Sequence, residues 1–222
     1  MFAVIPLQCS QQAKSRLATT LARSEREALF AAMARHVIET CLSSTRLSGV
    51  VVVTRDDAMT RQAVACGAEV LRDHGEGTAA ACNHAMALLS GRIDAGVLMV
   101  SGDLPLLQPL DIDAMCAAVT THGVAIAPDR AGMGTNALCC LPGGTITACF
   151  GEHSFARHRD QARHLVVRRP GLALDIDVGS DLQFLRRGIA NGAPVASDIR
   201  RIVMAAPPPA GGGADQPQRA AC

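Results

Sequence analysis

The sequence predicts an α/β fold, a mostly parallel sheet with helices on both faces. Strand-like and helix-like segments alternate along the chain. The strand-like segments, such as Val50–Thr54 and Ala95–Val100, are continuous apolar runs. Continuous runs mark strands covered on both faces, whereas alternation would mark one wet face. In such sheets ligands sit beyond the carboxyl ends of the strands, so the segments that follow strands matter most.

The elements follow in order. Residues 2–7 read as a first strand, and 8–20 as a polar loop with Lys14 and Arg16. Ser24-x-x-Glu27 predicts a capping box, with Leu29, Ala32, Met33, Val37 and Cys41 at helical spacing behind it. Strand Val50–Thr54 precedes a helix capped by Asp56 or Asp57 and ended by Gly67, then a short strand Ala68–Leu71. Thr78–Leu89 is a helix, Ala95–Val100 the most apolar strand, Asp111–Thr121 a helix, and Val124–Ala127 and Asn136–Leu141 strands. Ser154 is the expected cap of a helix reaching His164, before strand Leu165–Arg168 and helix Ser180–Arg187. Residues 1–204 thus form one domain. The Pro- and Gly-rich composition of 205–222 predicts a disordered tail.

Bulk properties exclude several function classes. A net charge of +1 and the lack of Tyr and Trp argue against a nucleic-acid partner. No apolar run is long enough to span a bilayer, and no basic leader precedes the first strand. Nine Cys without a CxxC pair read as reduced thiols, so a cytoplasmic protein is expected. GxxxxGK[ST] is missing, which excludes a P-loop. Gly75-Glu76-Gly77 and Gly132-Met133-Gly134 fit loose dinucleotide patterns. The first is separated from its strand, however, and the second leads into a strand rather than a helix. Zinc-ligand spacing and hydrolase triad signatures are absent.

Three stretches predict one site: Ser101-Gly102-Asp103-Leu104-Pro105, Gly132–Asn136, and Asp175-Ile176-Asp177. Asp103 directly follows the most apolar strand, where it is either a turn residue or a metal ligand. Asp175 and Asp177, two apart in extended chain, point to one side and suit one or two cations; a solvated strand edge or a cap for the helix at Ser180 is the alternative. Carboxylate oxygens are hard ligands for Mg²⁺, and glycine-rich backbone permits close approach of phosphate. Lys14 and Arg16 either neutralise a triphosphate or belong to a solvated loop. The Phe150–Phe155 stretch reads as a helix start able to take an anion, or as a simple N-cap at Ser154. His158 and His164 read as surface or internally satisfied histidines.

These stretches resemble one family, the CofC/FbiD guanylyltransferases of coenzyme F420 biosynthesis. The matching residues are Lys14-Ser15-Arg16-Leu17, Gly102–Leu106, Pro128-Asp129-Arg130 with Gly134–Leu138, Phe150-Gly151 with Ser154-Phe155 and His158, and Leu174–Asp177. The resemblance spans roughly residues 2–187. It implies a three-layer, nucleotide-diphospho-sugar-transferase-like (GT-A-like, Rossmann-type) fold. It also implies transfer of GMP from GTP to the phosphate of a small phospho-acid: 2-phospho-L-lactate, phosphoenolpyruvate or 3-phospho-D-glycerate. By that likeness Asp103, Asp175 and Asp177 hold Mg²⁺, as two ions. Asp103, Lys14 and Arg16 are catalytic, while Lys14, Arg16, Gly77 and Gly102 bind nucleotide. Thr135, Asn136, Gly151 and Ser154 bind the acceptor. The partners implied are small molecules, with a homodimer left open. One departure stands out. Relatives tend to read Gly-Leu-Asn-Ala-Ala-Leu where this chain has Gly77–Cys82, so Ala79 replaces an Asn near the nucleotide, and Asn83 lies one helical turn on. A molybdopterin or sugar-phosphate nucleotidyltransferase, and an inactive nucleotide-binding regulator, are the alternative readings.

Overall fold

A computed structural model describes residues 1–7, 14–73, 77–92, 96–142 and 146–206. Strand β1 (Phe2–Pro6) leads to a 3-10 turn at Ser15–Leu17 and helix α1 (Arg23–Ser43). Then come β2 (Gly49–Thr54), α2 (Asp57–Cys66), β3 (Glu69–Arg72), α3 (Thr78–Arg92), β4 (Val97–Val100) and α4 (Pro109–His122). The chain continues through β5 (Val124–Pro128), β6 (Thr135–Cys140), α5 (Ser154–Arg159), β7 (Leu165–Val166), α6 (Pro170–Ala173), α7 (Gly179–Ala190) and α8 (Ser197–Ala205). Of the tail expected over 205–222, Ala205 ends α8 and the residues from 207 onward lie outside the described residues, as do residues 8–13 of the first loop and Gly75.

The strands form one sheet in the order β3-β2-β1-β4-β6-β5-β7. Every neighbouring pair is parallel except those of β6, which runs antiparallel to both β4 and β5. The mostly parallel α/β architecture is therefore the one the apolar runs predict. The strands bury both faces because successive side chains point to opposite sides. Val50 and Val52 join Ile5, Leu98 and Ala125 under α1, α2 and α4. Val51 and Val53 join Val4, Met99 and Ile126 under α3. A third core forms on the far side of α1, where Leu29 and Met33 meet Leu182 and Leu185 of α7, and Ile199 and Val203 of α8.

Several local expectations need correction. The box at Ser24 and Glu27 does not form: α1 starts earlier, and the Glu25 carboxylate accepts from the Ala22 amide at 2.7 Å. Glu27 instead pairs with Arg23 one turn away, at 2.8 Å. The helix expected over 154–164 ends at Arg159. Its N-cap is His153, in the left-handed region at φ 55, so Ser154 is the first helical residue rather than the cap. Helix α8 was not anticipated, although its Ile199 and Val203 are four apart and fully buried on one stripe. Asp56, by contrast, caps α2 as expected, accepting from Ala58 and Met59.

One packing detail fixes how the chain returns to the sheet after β7. Buried Asp111 of α4 accepts from Arg169 at 2.7 Å and from the Gln108 amide at 2.9 Å. Gly171 of α6 lies against this pair, and a Cβ there would collide with the Asp111 carboxylate and stand 2.7 Å from the Leu106 carbonyl. Gly188 of α7 has ordinary room, with Ala193 at 3.6 Å from a Cβ. Gly171→Ala is therefore expected to destabilise the fold by about 1–3 kcal/mol. Gly188→Ala should be neutral or stabilise by about 0.5–1 kcal/mol. Urea unfolding of the two variants checks this; similar effects from both would rule out crowding at Gly171.

Candidate active site

The carboxyl ends of β1, β4 and β5 and the amino end of antiparallel β6 share one rim of the sheet. Asp103 sits just beyond β4. Gly102 beside it leaves room for Leu7, whose side chain would clash with any Cβ there. Asp175 and Asp177 arrive on the extended stretch after α6. There Leu174 and Ile176 turn into the third core, and the two carboxylates turn the other way. The carboxylates of Asp103, Asp175 and Asp177 converge, each offering an oxygen within 4.8 Å of the others.

Lys14 lies among them. Its residue adopts the left-handed region at φ 57, at the start of the 3-10 turn. Its ammonium donates to Asp103 and, at 2.8 Å, to Asp177. Burial alone would lower the pKa of this ammonium, since its side chain is only 6% exposed. Asp103 and Asp177 more than reverse that effect and hold it above the usual lysine range. Burial likewise pushes the Asp103 carboxyl up, but Lys14 and the Ser101 hydroxyl, 2.6 Å away, outweigh it and hold the group ionised. Among the described residues Asp175 has no cationic partner. Burial first, and then the Asp103 charge, raise its pKa to about 6.

Asn136 supports Asp175. Its amide nitrogen donates to the Leu172 carbonyl at 2.9 Å and approaches the Asp175 carboxylate at 3.3 Å. This aim depends on a bulge. Ala127 pairs with Ala137 but Pro128 pairs with Thr135, so Asn136 is the unpaired extra residue. Strict alternation would put Asn136 on the face of Leu138. Instead it reaches the side where Leu172 packs, and Thr135 meets His158 on the side of Phe150. The family likeness groups Asn136 with acceptor-binding residues, yet its donors are committed within the protein.

The remaining sequence-derived residues fall in three places. Thr135, Gly151 and Ser154 surround α5, with Thr135 and Ser154 buried and Gly151 at φ 108. Gly77, at φ 97, precedes α3. Arg16 is exposed and has no ion pair among the described residues. Asn83 cannot stand in for the missing Asn at Ala79, because its amide exchanges two hydrogen bonds with the Ala148 backbone, at 2.9 and 2.8 Å. Sequence reasoning placed Ser101 in a predicted stretch without giving it a role, and it missed the supporting part of Asn136; the Ser-x-Asp spacing is the signal for the Ser101–Asp103 bond.

The donor set of the acidic cluster is all oxygen, and three carboxylates against one ammonium leave surplus negative charge. Such a set fits a hard divalent cation such as Mg²⁺. Because the folded-state pKa of Asp175 exceeds its ordinary 3.8, protonation favours the folded chain. The stability lost to its ionisation is absent below about pH 4 and complete above about pH 6. In chelator at pH 7.5, Asp175→Asn should therefore stabilise the fold by ~1–3 kcal/mol, seen as a higher Tm. The gain should shrink as pH falls from 6 toward 4, and a pH-independent difference would refute the assignment.

Comparison with known proteins agrees with this architecture. The model of the CofC-like guanylyl transferase family matches residues 1–185. A phosphoenolpyruvate guanylyltransferase of Sphaerobacter thermophilus is 37% identical over 206 residues, covering 88% of this chain and 95% of the relative. The enzyme of the same name from Streptomyces avermitilis is 37% identical over 186 residues, covering 81% and 85%. Among solved structures, a protein of Desulfovibrio desulfuricans G20 described as a nucleotide-diphospho-sugar transferase superposes with a TM-score of 0.72 at 13% identity, covering 91% and 96% of the two chains. The 4-diphosphocytidyl-2C-methyl-D-erythritol synthase of Anaerococcus prevotii gives a TM-score of 0.57 at 11% identity, covering 85% and 95%. The fold is thus of the nucleotide-diphospho-sugar-transferase type, and the chain belongs to the CofC-like guanylyltransferases, a family of nucleotidyltransferases.

Proposed function

We propose that the protein moves GMP from GTP to the phosphate of a small phosphorylated carboxylic acid, releasing pyrophosphate. Phosphoenolpyruvate is the first candidate, since relatives bear its name. 2-Phospho-L-lactate and 3-phospho-D-glycerate are its competitors. The step belongs, on this reading, to coenzyme F420 biosynthesis in the cytoplasm. The observation that carries the reading is the convergence of Asp103, Asp175 and Asp177 around Lys14 at the rim where β4 ends.

In this reading Asp103, Asp175 and Asp177 hold Mg²⁺, which when bound neutralises phosphate charge and polarises the attacked phosphorus. Lys14 and exposed Arg16 bring positive charge to the triphosphate. Lys14 and then Ser101 keep Asp103 ionised, and Asn136 keeps Asp175 aimed. The hydroxyls of Thr135 and Ser154, with the backbone at Gly151, receive the acceptor's acid groups. With Ala79 lacking a side-chain amide and Asn83 engaged, guanine is read by backbone groups near Gly77. No general base is required. A phosphate monoester has a second pKa of about 6, so at neutral pH the acceptor is already mostly a dianion. Catalysis is positioning and charge neutralisation.

Pyrophosphate release, measured with GTP, ATP and CTP against each of the three acids, tests the reading. GTP with phosphoenolpyruvate is expected to give the highest kcat/KM, and no release with any pairing would end the proposal. Asp103→Asn should lower kcat by about 10²–10³-fold or more with its circular dichroism unchanged. Near-normal turnover would remove Asp103 from the site.

A further inference from the structure

We infer that His158 is a positioning residue whose ring turns the Thr135 hydroxyl into a hydrogen-bond donor aimed at the acceptor's acid group. The inference rests on the reading of Thr135 as part of the acceptor subsite.

The direction follows from a chain of bonds that starts at the backbone. The Cys149 amide lies 2.9 Å from His158 Nε2, and an amide N–H can only donate. Nε2 is therefore unprotonated, and the proton of the neutral imidazole sits on Nδ1. Nδ1 lies 2.9 Å from Thr135 Oγ1 and donates to it. A hydroxyl has one proton and two accepting lone pairs. With the histidine occupying a lone pair, the proton is left to point away from the ring. Among the described residues Thr135 has no other side-chain hydrogen bond, so that proton is available to a ligand. Without the ring the hydroxyl could rotate and present lone pairs to an anion.

The surroundings keep this arrangement in one state. Gln161 brackets Thr147 with two hydrogen bonds, at 2.8 and 3.0 Å, and Asn83 brackets Ala148. The Cys149 amide therefore has a fixed direction. The Phe150 ring packs edge-on against His158, with centroids 5.2 Å apart. His158 is fully buried, on the same face of α5 as Ser154 one turn earlier. Burial, and then Arg157, lower its pKa to about 4, so the ring stays neutral around pH 7.

Two measurements test this. ¹⁵N NMR of histidine-labelled protein should show His158 as the Nδ1–H tautomer, and an Nε2–H tautomer would overturn this inference alone. In steady-state kinetics His158→Gln, which keeps an acceptor near the Nε2 position, should raise the phosphoenolpyruvate KM about tenfold and the GTP KM less than about twofold. His158→Asn, which keeps a donor near the Nδ1 position, should recover most of that loss. Thr135→Val should match His158→Gln, and the double variant should be no worse than either single one. Multiplicative effects, or equal rises in both KM values, would reduce His158 to a structural role and overturn the proposal. An unchanged phosphoenolpyruvate KM in Thr135→Val would overturn the subsite reading, and this inference with it, whatever the tautomer.

Discussion

Three carboxylates held within 4.8 Å of one another constrain everything around them. At an effective dielectric of 20, two such charges repel by about 3–4 kcal/mol. A mobile loop would relieve that repulsion by moving apart. Here the backbone prevents it. Asp103 is tied to the end of a fully buried strand, and Asp175 and Asp177 alternate with Leu174 and Ile176, which are anchored in the third core. Lys14 compensates Asp103 and Asp177 but leaves Asp175 with a raised pKa. The cluster is thus stable enough to fold and still short of positive charge. Those are the terms on which a protein can keep a cation site open.

The bulge at Asn136 joins this acidic half of the rim to the hydroxyl-lined half. One dipeptide, Thr135-Asn136, supplies a side chain to each. Asn136 reaches across to Leu172 and Asp175, while Thr135 turns to His158 beside α5. Because both hang on a single irregularity of β6, their separation is set by the covalent backbone rather than by two loops moving independently. The in-line attack of the proposed reading would need that kind of fixed separation, since small misplacements of reacting groups cost large factors in rate.

Much of this was legible in the sequence. Apolar runs gave the mostly parallel sheet because a strand buried on both faces has no polar period, and the position of Asp103 at the rim followed because it comes directly after the most apolar of them. The pair Asp175 and Asp177 was found because residues two apart in extended chain share a side. What stayed hidden was set by tertiary pairing. Nothing in residues 135–140 announces that β6 runs antiparallel between β4 and β5, or that the register slips by one residue. Period-two reasoning therefore puts Asn136 and Thr135 on the wrong faces. The cap at Ser154 failed for a similar reason. A serine before a helical run is a good cap only if its backbone stays extended, and here the left-handed turn at His153 takes that position and carries Ser154 into the buried first turn. Asn83 matched the spacing of a nucleotide contact, yet a neighbouring backbone segment uses both ends of its amide.

Among the described residues, His158 does not offer a poised base. Both ring nitrogens of buried His158 are committed to hydrogen bonds and its pKa is held near 4, so it is unsuited to accepting a proton at neutral pH. Half-buried Asp175 has its pKa raised to about 6, but it lies in the acidic cluster, where a divalent cation would restore its ordinary acidity. A phosphate acceptor asks for neither group as a base. On the proposed reading it needs positive charge beside it, from Lys14 and a cation held by the carboxylates, together with hydroxyl donors turned the right way. On that reading the carboxylates on one side of the β6 bulge and the buried hydroxyls on the other serve these two needs separately.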